Sequence, residues 1–180
     1  DPARFADLLI QPGQKQPYEV RIYNARGQRL DSKPPAKFAV DANGEIDQHG
    51  NFMADSSVRH VVAAISATVD GQTGFARVRI VPPLPWKFDF NDGQVPITWV
   101  GARYRHQVRD VNGEKMLVKV NTIPLGTRSQ AWMGPPGLHD YTIQADVWAD
   151  LKNNKLPDIG LTAQRYTLDL VGVNQQFQIR

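Results

Sequence analysis

Apolar and polar residues alternate over short stretches of this chain, and turn dipeptides separate the stretches. Tyr18-Glu19-Val20-Arg21-Ile22-Tyr23 alternates and then meets Asn24-Ala25-Arg26-Gly27, a turn. Lys37-Phe38-Ala39-Val40 follows, then Asn43-Gly44, the strongest short hairpin signal. Val61 to Val69 is β-branched and Ala-rich, Asp70-Gly71 turns it, and Phe75-Ala76-Arg77-Val78-Arg79-Ile80 alternates again. A period of two sends successive side chains to opposite faces, so each stretch predicts a half-buried strand. Strand and turn recurring at about ten-residue spacing predict a β-sandwich.

Pro82-Pro83-Leu84-Pro85 interrupts the pattern. Proline has no N–H for a central ladder, so this run predicts a short stiff linker and a domain boundary. The expected domains are residues 1–82 and 83–180. Beyond the boundary, Arg103 to Val111 alternates, Asn112-Gly113 turns and Lys115 to Val120 returns. Tyr141 to Asp150 also alternates. Tyr141, Ile143, Ala145, Val147 and Ala149 would share one strand face, with Thr142, Gln144, Asp146, Trp148 and Asp150 on the other. Ile159 to Leu170 and Gln175 to Ile179 supply further strands. Phe5, Leu8 and Leu9 have helical spacing over a stretch too short to make a helix. Phe177-Gln178-Ile179-Arg180 halts inside an alternating run, where a bare edge strand would be a liability. The expectation is a second module that continues past residue 180. The opening Asp1-Pro2 likewise leads to the expectation of an excised or processed piece.

Composition narrows the classes without choosing one. Hydrophobic residues are 41% and charged residues 22%, enough apolar content for a packed core. Residues 1–82 carry 10 basic and 9 acidic side chains, and residues 83–180 carry 11 and 9. A net charge of +3 without blocks of like charge gives no case for nucleic acid as a partner. The absence of cysteine excludes disulfides, thiolate metal sites and a cysteine nucleophile. No apolar run reaches membrane-spanning length, so no membrane insertion is expected.

The first module resembles the bacterial immunoglobulin-like domains of surface and secreted proteins. The matching pieces are Leu9-Ile10-Gln11-Pro12-Gly13-Gln14, Val20 to Gly27, Gly44-Glu45-Ile46-Asp47, Gly50-Asn51-Phe52-Met53-Ala54, and Ala67 to Gly71 leading to Ala76-Arg77-Val78. The second resembles a concanavalin A-like (laminin G-like) jelly roll. It does so through Asp140 to Val147, Gly160 to Tyr166 and a first strand at Trp86-Lys87-Phe88-Asp89-Phe90. The expected fold is therefore all-β, an Ig-like sandwich followed by an incomplete jelly roll. Such jelly rolls need more than the 98 residues from 83 to 180. The pairing, with Trp99 to Arg105 between the modules, resembles the C-terminal part of planctomycete-type proteins carrying a pyrroloquinoline-quinone-like β-propeller. That resemblance implies an extracellular, periplasmic or cell-envelope location.

The sharpest candidate site is a ligand-binding face of Gln144, Asp146, Trp148 and Asp150. A tryptophan on a polar strand face can stack on a sugar ring while flanking acids accept hydroxyl hydrogen bonds. On one strand Asp146 and Asp150 would lie roughly 13 Å apart, whereas glycosidase carboxylates lie about 5–10 Å apart. Laminarinase-like relatives of the jelly roll use Glu-x-Asp-x-x-Glu, and this stretch has no Glu. Hydrolysis is therefore not expected of it, and no catalytic residue is assigned. The competing reading packs Trp148 beneath a loop or against a neighbouring domain. Asp41-Ala42-Asn43-Gly44-Glu45-Ile46-Asp47 spaces oxygens as a calcium loop does. Its glycine falls at the fourth position, though, and no Glu stands at the twelfth, so a turn explains it better. Arg103, Arg105 and Arg109 would share a solvated strand face. His49, His60, His106 and His139 lack metal-ligand spacing, and no phosphate-cradling or nucleophile-elbow motif occurs. No metal or cofactor is implied.

Three functions fit these observations. The first is a non-catalytic binding or presentation module with weak carbohydrate binding. The second is a fragment of a carbohydrate-active enzyme whose catalytic residues lie outside this chain. The third is a structural tail that packs on a β-propeller. Its partner would be the rest of the parent polypeptide or a neighbouring subunit, with a glycan as ligand in the first case.

Overall fold

The computed structural model describes residues 7–56, 59–120 and 129–180. The protein is all-β, with one four-residue helix, α1 (Ala102–Arg105), among the described residues. It divides into two compact units, Asp1–Pro135 and Pro136–Arg180.

The core of the first unit is built on two sheets. One has the order β1 (Asp7–Ile10), β9 (Gln72–Ile80), β8 (Val61–Val69), β5 (Lys37–Val40). The other has the order β2 (Lys15–Pro17), β7 (Asn51–Ala54), β6 (Gly44–Ile46). Alternation decides what each strand buries. Ala63 and Ile65 of β8, with Val78 and Ile80 of β9, project from the four-stranded sheet into the core, joined by Ile10. Phe52 and Ala54 of β7 meet them from the other sheet, and Phe52 is completely buried. Burying a phenylalanine of this kind contributes about 1.5–3 kcal/mol. The outer edge of β9 is closed by β1, which runs parallel to it from Asp7↔Arg77 to Ile10↔Ile80. Leu8 and Leu9 thus belong to a strand, and Phe5 lies outside the described residues.

Turn chemistry sorts the three expected hairpin signals. Asp70-Gly71 joins β8 to β9 and Asn112-Gly113 joins β10 (His106–Val111) to β11 (Glu114–Lys119), both as two-residue turns. All four of these residues have positive φ, the mirror-image geometry that matches strand twist. Asn43-Gly44 behaves differently. β5 pairs with β8 and β6 pairs with β7, so this dipeptide carries the chain from one sheet to the other. Side chains fix the crossing: Asn43 Nδ2 donates to the Val62 carbonyl at 2.7 Å, and Asp41 Oδ1 accepts from the Ala64 N–H at 2.8 Å. The Asn24 turn joins two short strands, β3 (Ile22–Tyr23) and β4 (Arg29–Leu30), with Asn24 Oδ1 accepting from the Arg26 and Gln28 N–H groups.

The proline run lies within the first unit. The Trp86 indole N–H reaches back to the Pro82 and Pro83 carbonyls, at 2.9 and 3.1 Å. Trp86, Phe88 and Phe90 keep their alternation, half-buried against exposed Lys87 and Asp89, yet they form no ladder. Their period is satisfied by ring packing. The same segment explains a buried cation. Arg79 leaves β9 on the face opposite Val78 and Ile80, is 5% exposed, and donates through its guanidinium to the Ile97 carbonyl. Thr98 beside it is completely buried. Further on, Gly101 at φ 80° precedes α1, which takes up Arg103 and Arg105, and β10 starts only at His106. Those arginines therefore do not share a strand face with Arg109.

The second unit holds one antiparallel sheet in the order β12 (Ile159–Ala163), β13 (Tyr166–Val171), β14 (Gln176–Ile179). The Ile159–Leu170 stretch is a hairpin turned at Gln164, whose φ is 53°. Tyr141–Asp150, expected as a strand, has no ladder partner among the described residues. Alternation is a property of side chains, and a strand also needs a neighbour to receive its backbone.

Phe52→Ala is expected to cost the first unit about 3–5 kcal/mol by leaving a cavity between the sheets. Tyr104→Ala, at a side chain 84% exposed, should change stability by less than about 0.5 kcal/mol. Urea melts of the two variants against wild type measure the contrast.

Candidate functional site

Cross-strand partners in an antiparallel sheet project to the same side, so the register of β12, β13 and β14 fixes two faces. One row across the sheet is Ile159, Leu170 and Phe177; the next is Leu161, Leu168 and Ile179; the third is Ala163 and Tyr166. Every side chain on this face is apolar except for the Tyr166 hydroxyl. The opposite face carries Gly160, Thr162, Thr167, Asp169, Val171, Gln176 and Gln178, and two side-chain pairings form on it. The Thr162 and Thr167 hydroxyls lie 3.4 Å apart, and the Arg180 guanidinium pairs with the Asp169 carboxylate.

The apolar face lacks such partners. Tyr166 is 61% exposed, Leu170 41%, Phe177 64% and Ile179 70%. Among residues 136–180, all of them described, none is buried. At about 200 Å² per large side chain, these four alone leave roughly 450 Å² of apolar surface in water. The largest patch on a typical monomer is about 300–600 Å² and is often an interaction site. The sequence displays the alternation that builds this face but carries no signal that the face goes uncovered.

All four residues of the expected sugar platform are exposed. Trp148 is 61% exposed, and its indole N–H donates to Asp150 Oδ1 at 3.1 Å. Gln144 and Asp146 are exposed on the same stretch. The stretch pairs with no other strand among the described residues. Of the four candidates, the structure brings together Trp148 and Asp150.

A polar contact that the spacing of the histidines did not foretell lies in the first unit. The half-buried His60 places Nδ1 2.8 Å from Thr98 Oγ1. Its ring meets Trp86 edge to face at 5.4 Å and tilts against Phe88 at 5.1 Å. Phe88 and Phe90 in turn pack against Trp99, at 5.0 and 5.9 Å. Burial pushes the His60 imidazole below its ordinary pKa, because an apolar surround penalises the charged form. His60, the proline run, Trp86 and Lys87 line a shallow open depression. The period-two spacing of Trp86, Phe88 and Phe90 was the available signal, though it pointed to a strand.

The acidic loop uses its carboxylates on its own chain. Asp47 Oδ1 accepts from the His49 and Asn51 N–H groups at 2.8 and 2.9 Å, and Oδ2 accepts from Asn51 Nδ2 at 2.8 Å. These bonds, led by that of the Asn51 side chain, hold the Asp47 carboxyl below its usual pKa. Among the described residues no three His, Asp or Glu side chains gather as a metal site, and no helix is long and apolar enough to cross a membrane. Comparison with protein-family models, curated proteins and solved structures finds no match to this chain.

The lowered His60 pKa fixes the sign of a pH effect. The unfolded chain binds this proton more readily, so the contribution of His60 is complete above the ordinary imidazole value of about 6.5 and is lost as pH falls below it. Thermal melts should show the first unit weakening through this range, and His60→Gln should flatten that part of the profile.

Proposed function

We propose that this chain is a non-catalytic binding and presentation module of a larger secreted or envelope protein. In this reading an Ig-like sandwich carries a second β unit that docks against the parent polypeptide or a neighbouring subunit. The observation that carries it is the eight-residue apolar face of β12–β14 in a unit with no buried residue. A sheet face of that composition suits one layer of a two-layer sandwich, whose partner sheet would lie about 10 Å away.

Strand order supports the Ig-like part. In chain order, β2, β5, β6, β7, β8 and β9 occupy the places of strands B, C, D, E, F and G. One sheet then reads C-F-G and the other B-E-D, as in an immunoglobulin sandwich. The concanavalin A-like reading of residues 83–180 rests on its sequence pieces, of which Trp86–Phe90 falls in the first unit, and on the one-sided apolar sheet of β12–β14. An apolar dye whose fluorescence rises on hydrophobic surfaces tests the docking reading on dilute protein. Wild type should bind the dye, and the Phe177→Ser, Ile179→Lys double variant should lose most of that signal. Equal binding by both would show that the face is not open, and the reading would fall.

A second reading is weak carbohydrate binding at Trp148, favoured by an exposed indole whose N–H is tethered to Asp150. Hydrogen bonds to sugar hydroxyls compete with water and are worth about 0.5–1.5 kcal/mol each. Dissociation constants in the roughly millimolar to high-micromolar range follow. A glycan array followed by titration of wild type and Trp148→Ala should show binding that the variant loses. Binding that survives the substitution would return Trp148 to a packing role.

A further inference from the structure

The pentapeptide Asp-x-Asn-Gly-Glu occurs twice in this chain, as Asp41 to Glu45 and as Asp110 to Glu114. Asparagine before glycine is a labile pair, because no side chain on the glycine keeps its backbone nitrogen away from the carboxamide. The local sequence gives both copies the same reactivity, so any difference between them comes from the fold.

The fold treats them oppositely. Asn43 Nδ2 donates to the Val62 carbonyl at 2.7 Å and Asp41 Oδ1 accepts from the Ala64 N–H at 2.8 Å, so both side chains are tied to β8. Gly44 is enclosed, and a Cβ there would overlap the Met53 carbonyl and the Phe52 ring. Asn112 and Gly113 are exposed, and nothing lies where a Cβ on Gly113 would stand. Among the described residues no hydrogen bond holds the Asn112 carboxamide. Asp110 stays on its own hairpin, accepting the Gly113 N–H at 3.0 Å. That hairpin, β10–β11, pairs with no third strand among the described residues. A two-stranded ribbon is marginally stable, so its turn opens far more often than a crossing between two packed sheets.

We propose that Asn112 is a site of spontaneous deamidation, with water as the co-reactant, and that the fold protects Asn43 from the same reaction. When the turn opens, the Gly113 nitrogen leaves Asp110, gives its proton to solvent base and attacks Asn112 Cγ. The new N–Cγ bond closes a succinimide ring while the Cγ–Nδ2 bond breaks, and Nδ2 takes up a proton and departs as ammonia. Water then opens the ring. Attack at Cγ leaves aspartate; attack at the Asn112 main-chain carbonyl leaves isoaspartate, with the backbone rerouted through the side chain. Either product sets a new carboxylate between exposed Asp110 and Glu114, and the isoaspartyl form lengthens the turn.

Ageing the full chain in neutral and in mildly alkaline buffer, followed by peptide mass mapping and labelling with an isoaspartate methyltransferase, tests this. The Asn112 peptide should gain the amide-to-acid mass difference and the label at least about tenfold faster than the Asn43 peptide. Its rate should rise with pH, because the attacking nitrogen must lose its proton. In urea the two peptides should convert within about twofold of each other, since the unfolded chain removes the protection at Asn43. Equal rates in the folded protein, or faster conversion at Asn43, overturn the proposal. So does an Asn112 that stays intact over the time in which the unfolded chain converts, or a gap that persists undiminished in urea.

Discussion

Phe52 lies between two sheets that share no ladder, so the burial of side chains is what holds them together. Ile10, Ala63, Ile65, Val78 and Ile80 press on it from one side while Ala54 flanks it on its own strand. Much of the first unit follows from that contact. With the inner face of β8 and β9 committed to Phe52, Arg79 must leave on the outer face. The segment after the proline run then covers that outer face, and Arg79 donates to the Ile97 carbonyl there. The ring cluster of His60, Trp86, Phe88 and Trp99 is the apolar part of the same cover.

The second unit has the same local ingredients and a different outcome. Its strands alternate as cleanly as β8 and β9, and its polar face carries the Asp169–Arg180 ion pair. Among the described residues of this unit, no second sheet opposes β12–β14. Hydrophobic side chains gain stability only from the water they exclude, and here Tyr166, Leu170, Phe177 and Ile179 stay exposed. That asymmetry is why the functional reading rests on a face and not on a cleft: Asp41, Asp47 and His60 serve turns and packing.

Much of the architecture was legible in the residues. β5, β8 and β9 follow from alternation, and the Asp70-Gly71 and Asn112-Gly113 turns follow from the positive φ that such dipeptides tolerate. The misreadings share a cause. Asn43-Gly44 crosses between sheets, Trp86–Phe90 packs rings without a ladder, and Tyr141–Asp150 alternates without a neighbour. In each, the local pattern states which way side chains point, while pairing is decided by a distant segment that the pattern does not name. The open face of β12–β14 was invisible for the converse reason, because an uncovered surface and a covered one are written with the same residues.

The parallel pairing of β1 with β9 has a consequence for the order in which the chain folds. Asp7 pairs with Arg77, so the strand nearest the start of the first unit is placed by one far along it. A β-hairpin closes in about 1–10 µs, and β12–β13, β13–β14 and β8–β9 are all hairpins of that local kind. A ladder between remote strands must first overcome the entropy of closing the long loop between them, which makes it slow. The β8–β9 hairpin therefore forms the template, and β1 is the last strand to dock on it. Until then the outer edge of β9 stays open, and it is the place where a nascent copy of this protein is most exposed to pairing with the wrong strand.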